Sequence, residues 1–114
     1  MLVRPGTYAL LNRLSALYEI VLFTASQSLY ADPLIDFLDK EGVCSHRLFR
    51  QHCTYYNGIY VKDLSTLGRD LREVLIVDNQ PNSYMLHKEN ALPSPSWFDD
   101  KTDRFLYDLT DLLE

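Results

Sequence analysis

Apolar residues recur at helical spacing near the start of the chain. Leu10, Leu11, Leu14, Leu17 and Tyr18 share one face, and Pro5 suits a first turn, where its missing N–H costs nothing. This predicts a helix over about residues 6–18, with MLV before it as the tail of a strand. The period then changes. EIVLFT (19–24) is a short β-branched and aromatic run ending in polar residues, the pattern of a strand buried on both faces of a parallel sheet. A second helix follows over about residues 27–40, with Leu29, Leu34, Phe37 and Leu38 facing inward and Gly42 as its C-cap.

RLFR (47–50), CTYY (53–56) and IYVK (59–62) read as short strands. Asn57-Gly58 between the last two is a strong hairpin signal, because a type I′ turn needs positive φ at both central positions. Residues 63–72 read as a turn with one helical turn, and EVLIVD (73–78) repeats the buried-strand pattern. The chain through Pro93 and Pro95 reads as irregular, and Phe105, Leu106, Leu109, Leu112 and Leu113 mark a last helix over about 102–113. No internal repeat or linker interrupts this order. The succession β-α-β-α-(hairpin)-β-α predicts one domain, residues 1–114, of the α/β class: a mainly parallel sheet flanked by helices, with a small β-hairpin insert.

Composition narrows the function. The 114 residues are 46% hydrophobic and 12% aromatic, ordinary for a globular core. A net charge of -5 argues against bulk electrostatic binding to nucleic acid or an anionic bilayer, so a phosphorylated partner has to be held by a few placed cations. Cys44 and Cys53 lack CxxC spacing and read as buried free thiols of an intracellular chain. No long apolar segment opens the chain and no run of about 20 apolar residues occurs, so neither a signal peptide nor a membrane span is expected. Nucleus or cytoplasm is the expected compartment.

In an open parallel sheet, ligands bind beyond the carboxyl ends of the strands. Three polar clusters fall there: Thr24-Ala25-Ser26 after VLF, Asp78-Asn79 after LIV, and Lys62-Asp63 at the end of IYVK. A hydroxyl and an ammonium suit phosphoryl oxygens, while a carboxylate and a carboxamide suit a hard cation such as Mg²⁺. Each has a plainer reading: Thr24 as a turn hydroxyl, Lys62 as a solvated lysine, Asp78 as a loop-starting acid. Their coincidence at three strand ends favours a site, since unpaired charge is costly to bury. His46, His52 and His87 have no metal-ligand spacing and read as ordinary, partly buried histidines.

The blocks VLFTAS, YADP, RLFRQHCTYYNGIYVKDLSTLGRDL, LIVDNQPNSY, ENALP and SWFDDKTD stand in that order within residues 3–113. Together they resemble the small C-terminal-domain phosphatases, the NLI-interacting-factor-like branch of the haloacid dehalogenase superfamily. The resemblance implies a haloacid-dehalogenase-like (Rossmann-like) fold. It also implies Mg²⁺-dependent dephosphorylation of phosphoserine in the RNA polymerase II tail or another phosphoprotein. On the matching positions, Thr24 would contact the transferred phosphoryl group and Lys62 would offset its charge. Asp78 and Asn79 would complete the Mg²⁺ site, and Tyr30 and Arg50 would line the groove for the peptide. Such enzymes form an aspartyl-phosphate, with nucleophile and acid/base both in an Asp-x-Asp-x-Thr motif on the first strand.

This chain has no such motif, because no two of its aspartates are separated by a single residue. The resemblance begins at LVRP, which in the family comes after that strand. The expectation is therefore an N-terminally incomplete domain, lacking the motif-bearing strand and inactive by itself. The alternative is a catalytically inactive homologue that binds phosphopeptides. The presence of Thr24, Lys62, Asp78 and Asn79 favours the first reading.

Overall fold

The computed structural model describes residues 2–114. In chain order its elements are α1 (Thr7–Leu14), β1 (Val21–Phe23), α2 (Ser28–Leu38), β2 (His46–Leu48), β3 (Thr54–Tyr56), β4 (Ile59–Val61), β5 (Ile76–Asp78), β6 (Ala91–Pro93) and α3 (Phe105–Leu113). Short 3₁₀ turns lie at Arg50–His52, Leu64–Leu67, Leu71–Glu73, Pro81–Tyr84 and Lys88–Asn90. No described helix is long and apolar enough to cross a membrane.

Helix α1 is shorter than its periodicity suggests. Pro5 precedes the helix and Gly6 holds the N-cap at φ 90°, while the Ser15 hydroxyl donates to the Asn12 carbonyl and competes with the helical ladder. The amides of Leu17 and Tyr18 both turn back to the Leu14 carbonyl, so these two side chains leave the helical face and stand exposed. Leu11 and Leu14 bury themselves against α3, where Leu109 and Thr110 are buried. The Thr110 hydroxyl donates to the Leu106 carbonyl at 2.6 Å, which satisfies it inside the apolar seam. Polar contacts seal both ends of this helix pair. Arg4 pairs with Asp103 at 2.7 Å, Arg13 binds Asp111 and Glu114, and the Tyr18 phenol donates to the Leu113 carbonyl at 2.6 Å.

The strands form three separate two-stranded sheets among the described residues, rather than the one mainly parallel sheet predicted. The α/β character and the antiparallel hairpin agree with the sequence reading. β1 and β2 are parallel with Val21 opposite His46, and β5 and β6 are parallel with Asp78 opposite Pro93. β3 and β4 form the antiparallel hairpin, with Asn57 at φ 48° and Gly58 at φ 80°, as its Asn-Gly turn requires. Strand β6 lies where the prolines suggest irregular chain, but Pro93 is the strand's last residue, where proline is tolerated. Strand β2 ends at Leu48, earlier than RLFR suggests, because the Phe49 amide donates to His52 Nδ1 at 2.9 Å and the chain tightens into a 3₁₀ turn.

The expected double burial of VLF and LIV is not met. All of β1 is half-buried and Val77 is exposed, because a strand in a two-stranded sheet has an open edge and here packs on one side. One core cluster joins Ala31, Ile35 and Phe49 with Leu22; another joins Leu64, Ile76 and Tyr84 with Leu67, Val74 and Ala91. On α2 the inward residues are therefore Ala31 and Ile35. Leu29, Leu34 and Phe37, expected inside, are exposed, and Leu38 is half-buried. Small Ala31 lets α2 approach Phe49, so the seam follows the residue that permits close contact rather than the largest ones. The helix stops at Leu38, and Asp39 rather than Gly42 is its C-cap. The Asp39 carboxylate accepts the amides of Val43 at 2.8 Å and Cys44 at 3.0 Å, and Gly42 takes its positive φ in the turn between.

These turns can be tested by substitution. A Cβ on Gly6 would stand 3.0 Å from both Leu106 Cβ and the Tyr107 nitrogen, whereas one on Gly42 would meet nothing within 4 Å. Gly6→Ala is expected to cost roughly 3 kcal/mol in urea unfolding, from strain plus the clash, and Gly42→Ala about 1 kcal/mol from strain alone. Equal losses would contradict the close approach of α1 to α3. For Asp39, burial pushes the carboxyl up, but the amides of Cys44 and Val43 outweigh it and hold it below its ordinary value. Its contribution is complete above the unfolded-state pKa of about 4 and is lost as pH falls through that value and the lower folded one. Asp39→Asn should thus cost roughly 1 kcal/mol at pH 7, in line with loss of a charged cap, and the gap to wild type should narrow at pH 3.

Candidate active site

Val61, at the end of β4, is fully buried, so the next residue leaves the strand inside the protein. Lys62 is only 8% exposed, and its amide donates to the Ser83 carbonyl at 2.8 Å. A lysine there needs a partner. Its Nζ lies 2.5 Å from Asp78 Oδ2 and 5.8 Å from the centre of the Phe23 ring. Asp78 is the last residue of β5. Its second carboxylate oxygen accepts the Gln80 amide at 2.9 Å, an Asx turn that starts the 3₁₀ turn at Pro81, and its carbonyl accepts the Ser94 amide at 2.9 Å. Asn79 is exposed and donates from Nδ2 to Ser96 Oγ at 3.2 Å.

Thr24 continues the β1–β2 ladder by donating its amide to the Leu48 carbonyl at 2.9 Å. Its Oγ1 accepts the Ser26 amide at 3.0 Å, so the turn-hydroxyl reading of Thr24 is met in the geometry. Arg50 fastens this loop from the other side. Its Nε donates to the Ala25 carbonyl at 2.8 Å, its amide donates to the Ser26 carbonyl at 3.0 Å, and its guanidinium stacks 5.0 Å from the Tyr60 ring centre. Phe23 joins the two halves: it precedes Thr24 in the chain and lies beneath the Lys62 ammonium. The structure thus brings Lys62 and Asp78 into direct contact, with the Thr24 loop and Arg50 beside them. Asn79 faces Ser96, and Tyr30, 66% exposed on the first turn of α2, makes no side-chain hydrogen bond among the described residues.

This arrangement offers hydrogen-bond donors and cations for an anion, but no activated nucleophile. Cys44 is pushed up to about 12 by burial and by Asp39, and burial also raises Cys53 although Lys62 and Arg50 pull the other way. Both thiols stay protonated near neutral pH. No group of three or more His, Cys, Asp or Glu among the described residues is placed to hold a metal ion. Asp78 already faces an ammonium on one oxygen and the Gln80 amide on the other, and Asn79 is the only further oxygen donor of the pair. A hard cation needs several oxygen ligands in near-octahedral array, so these residues alone do not make a Mg²⁺ site.

A pair absent from the sequence reading stands next to Lys62. His87 Nε2 lies 2.8 Å from Asp63 Oδ1, and this carboxylate also accepts the Ser65 amide at 3.0 Å and hydroxyl at 2.6 Å. The hydrogen bond from His87, then that from Ser65, holds the Asp63 carboxyl below its usual range. The Asp63-x-Ser65 cap was legible locally. The partnership with His87, 24 residues away, has no local signature.

The model of the NLI interacting factor-like phosphatase family matches residues 1–114. The chain is 55% identical to a probable C-terminal domain small phosphatase of Dictyostelium discoideum, over 97% of this chain and 36% of that protein. It is 54% identical to the human CTD small phosphatase-like protein, over 100% of this chain and 41% of that protein. It is also 54% identical to human carboxy-terminal domain RNA polymerase II polypeptide A small phosphatase 1, over 100% of this chain and 44% of that protein. The chain therefore spans less than half the length of these curated relatives. A match from residue 1 to residue 114, with more than half the residues identical to named small phosphatases, places the chain in the NLI interacting factor-like phosphatase family.

Proposed function

We propose that this chain is the body of a Mg²⁺-dependent protein serine/threonine phosphatase domain of the small C-terminal-domain type. In this reading it grips the phosphoryl group of a phosphoserine and leaves attack on phosphorus to an Asp-x-Asp-x-Thr strand that these residues do not contain. The observation that carries the reading is the buried Lys62–Asp78 pair at two strand ends, beside the Thr24 loop. One ammonium proton points to Asp78, which leaves two donors for phosphoryl oxygens. Thr24 Oγ1 would add a third donor, through the hydroxyl proton that its bond from Ser26 does not use.

Donors held in advance in a water-poor site stabilise developing charge without reorganising at the moment of transfer. Arg50 and Tyr30 would flank the peptide, with Arg50 fixed by Ala25 and Tyr60 and Tyr30 standing open on α2. Mg²⁺ enters the proposal through the family: when bound, it would screen charge on the phosphoryl oxygens. Asp78 and Asn79 would be two of its ligands, and the remaining oxygens would have to come from outside these residues. One relative's name specifies the carboxy-terminal domain of RNA polymerase II, so that tail or another phosphoprotein is the proposed substrate, in nucleus or cytoplasm.

The chain alone should show no Mg²⁺-dependent turnover of p-nitrophenyl phosphate above background. Turnover that Asp78→Ala or Lys62→Ala abolishes would sink that expectation. The positive test is a chimaera carrying residues 1–114 behind a strand that bears an Asp-x-Asp-x-Thr motif. It should hydrolyse a phosphoserine peptide in Mg²⁺, and Lys62→Ala should lower kcat/KM by roughly 100-fold or more, the scale of losing a preorganised charge-stabilising donor. A folded chimaera that binds the phosphopeptide but does not turn it over would establish the inactive binding module instead.

A further inference from the structure

Lys62 is fixed along its backbone by one amide bond, but the chain then enters a 3₁₀ turn, Leu64–Leu67, whose last residues are half-exposed or exposed. Leu64 anchors the start of the turn in the buried cluster with Ile76 and Tyr84, but the residues after it are of the kind that open locally unless polar contacts close them. Asp63 supplies the closure. Its carboxylate caps the turn through Ser65, its carbonyl takes the Thr66 amide at 3.2 Å and hydroxyl at 2.7 Å, and the same carboxylate reaches His87. His87 is itself held, because its amide donates to the carbonyl of buried Tyr84 at 2.9 Å and its side chain is only 12% exposed.

Two cross-links therefore join the segment that carries Lys62 to the segment after Asp78. One is the Lys62 amide on the Ser83 carbonyl, and the other is Asp63 on His87. They flank the Lys62 Cα on either side of its peptide. With both in place, the strand end is held at two polar points besides the Leu64 anchor, and the Lys62 ammonium lies at Asp78.

We propose that His87 is a positioning residue: through Asp63 it latches the end of β4 so that the Lys62 ammonium is held at Asp78 and withheld from solvent. The role matters to catalysis only if the proposed function holds, since that reading gives Lys62 its task, but the latch can be measured without turnover. His87 would touch neither the phosphoryl group nor the attacking group.

The test is lysine accessibility in the 114-residue chain. Reductive methylation with formaldehyde and a borane, followed by mass spectrometry, reports each of Lys40, Lys62, Lys88 and Lys101 separately. In the wild type Lys62 should react roughly tenfold or more slowly than the other three, which are exposed. His87→Ala should raise the Lys62 rate by about tenfold, while hydrogen exchange at the Leu109 amide, in the separate α1–α3 seam, stays unchanged. His87→Gln keeps an N–H donor near the same place and should return Lys62 to within about threefold of wild type. The latch is overturned if Lys62 reacts no faster in His87→Ala, if the Leu109 amide accelerates by the same factor, or if His87→Gln behaves like His87→Ala. Any of these results leaves the phosphatase reading standing, because none of them depends on phosphate hydrolysis.

Discussion

An ammonium largely shut off from water needs a counter-charge, and the arrangement of this domain's strand ends follows from that requirement. Lys62 leaves β4 where Val61 is fully buried, so its side chain starts inside the protein. Asp78, at the end of β5, is the acid that meets it. Buried ion pairs add little net stability, because desolvation of both charges offsets their attraction, yet removing one partner typically costs about 3–5 kcal/mol. Such a pair selects one register over others. A slip of one residue in β5 would carry Asp78 to the opposite side of its strand and leave Lys62 alone.

The surrounding hydrogen bonds read as support for that pair. Asp78 spends its second oxygen on Gln80 and its carbonyl on Ser94, so the loop after β5 and the loop after β6 are both tied to the same residue. Ser94 in turn accepts from Arg4, which pairs with Asp103 ahead of α3. The α1–α3 helix pair is thereby connected to the candidate site by a short series of polar contacts, although its own packing is apolar. On the other side, Phe23 passes beneath the Lys62 ammonium and fixes where Thr24 begins. Arg50 completes the frame by holding the Thr24 loop through backbone carbonyls, with its charge stacked on Tyr60.

Local chemistry was readable in the sequence and long-range chemistry was not. Asn57-Gly58 announced its hairpin because positive φ is a local demand, and Thr24, Lys62 and Asp78 drew attention because polar residues end apolar runs. The inward face of α2 differs from its pattern because periodicity weights large residues, while contact with Phe49 selects Ala31 and Ile35. Strand β6 is hidden in the sequence because proline is penalised wherever it stands, whereas at the last position of a strand it costs little. Asp63 and His87 could not be joined from the sequence, since nothing local in either segment specifies a partner across so many residues. The same limit applies to Asn79, whose side chain answers to Ser96 rather than to its neighbour Asp78.

On the proposed reading, the site is one half of a reaction centre. It presents a buried ammonium beside the half-buried Thr24 loop and the exposed Arg50, and holding such donors in place is the part of phosphoryl transfer that depends on preorganisation. Among the described residues, neither the cysteines nor Asp78 stand ready to attack phosphorus. The cysteines are held as thiols by burial, and Asp78 is committed on both oxygens. These two facts are consistent with each other. On the proposed reading a nucleophilic carboxylate would need a cation already in position, and a lysine kept for that task could not stay buried and unpaired. Asp78 resolves the conflict by lying close enough to hold Lys62 in place, while using only one of the three protons the ammonium can donate.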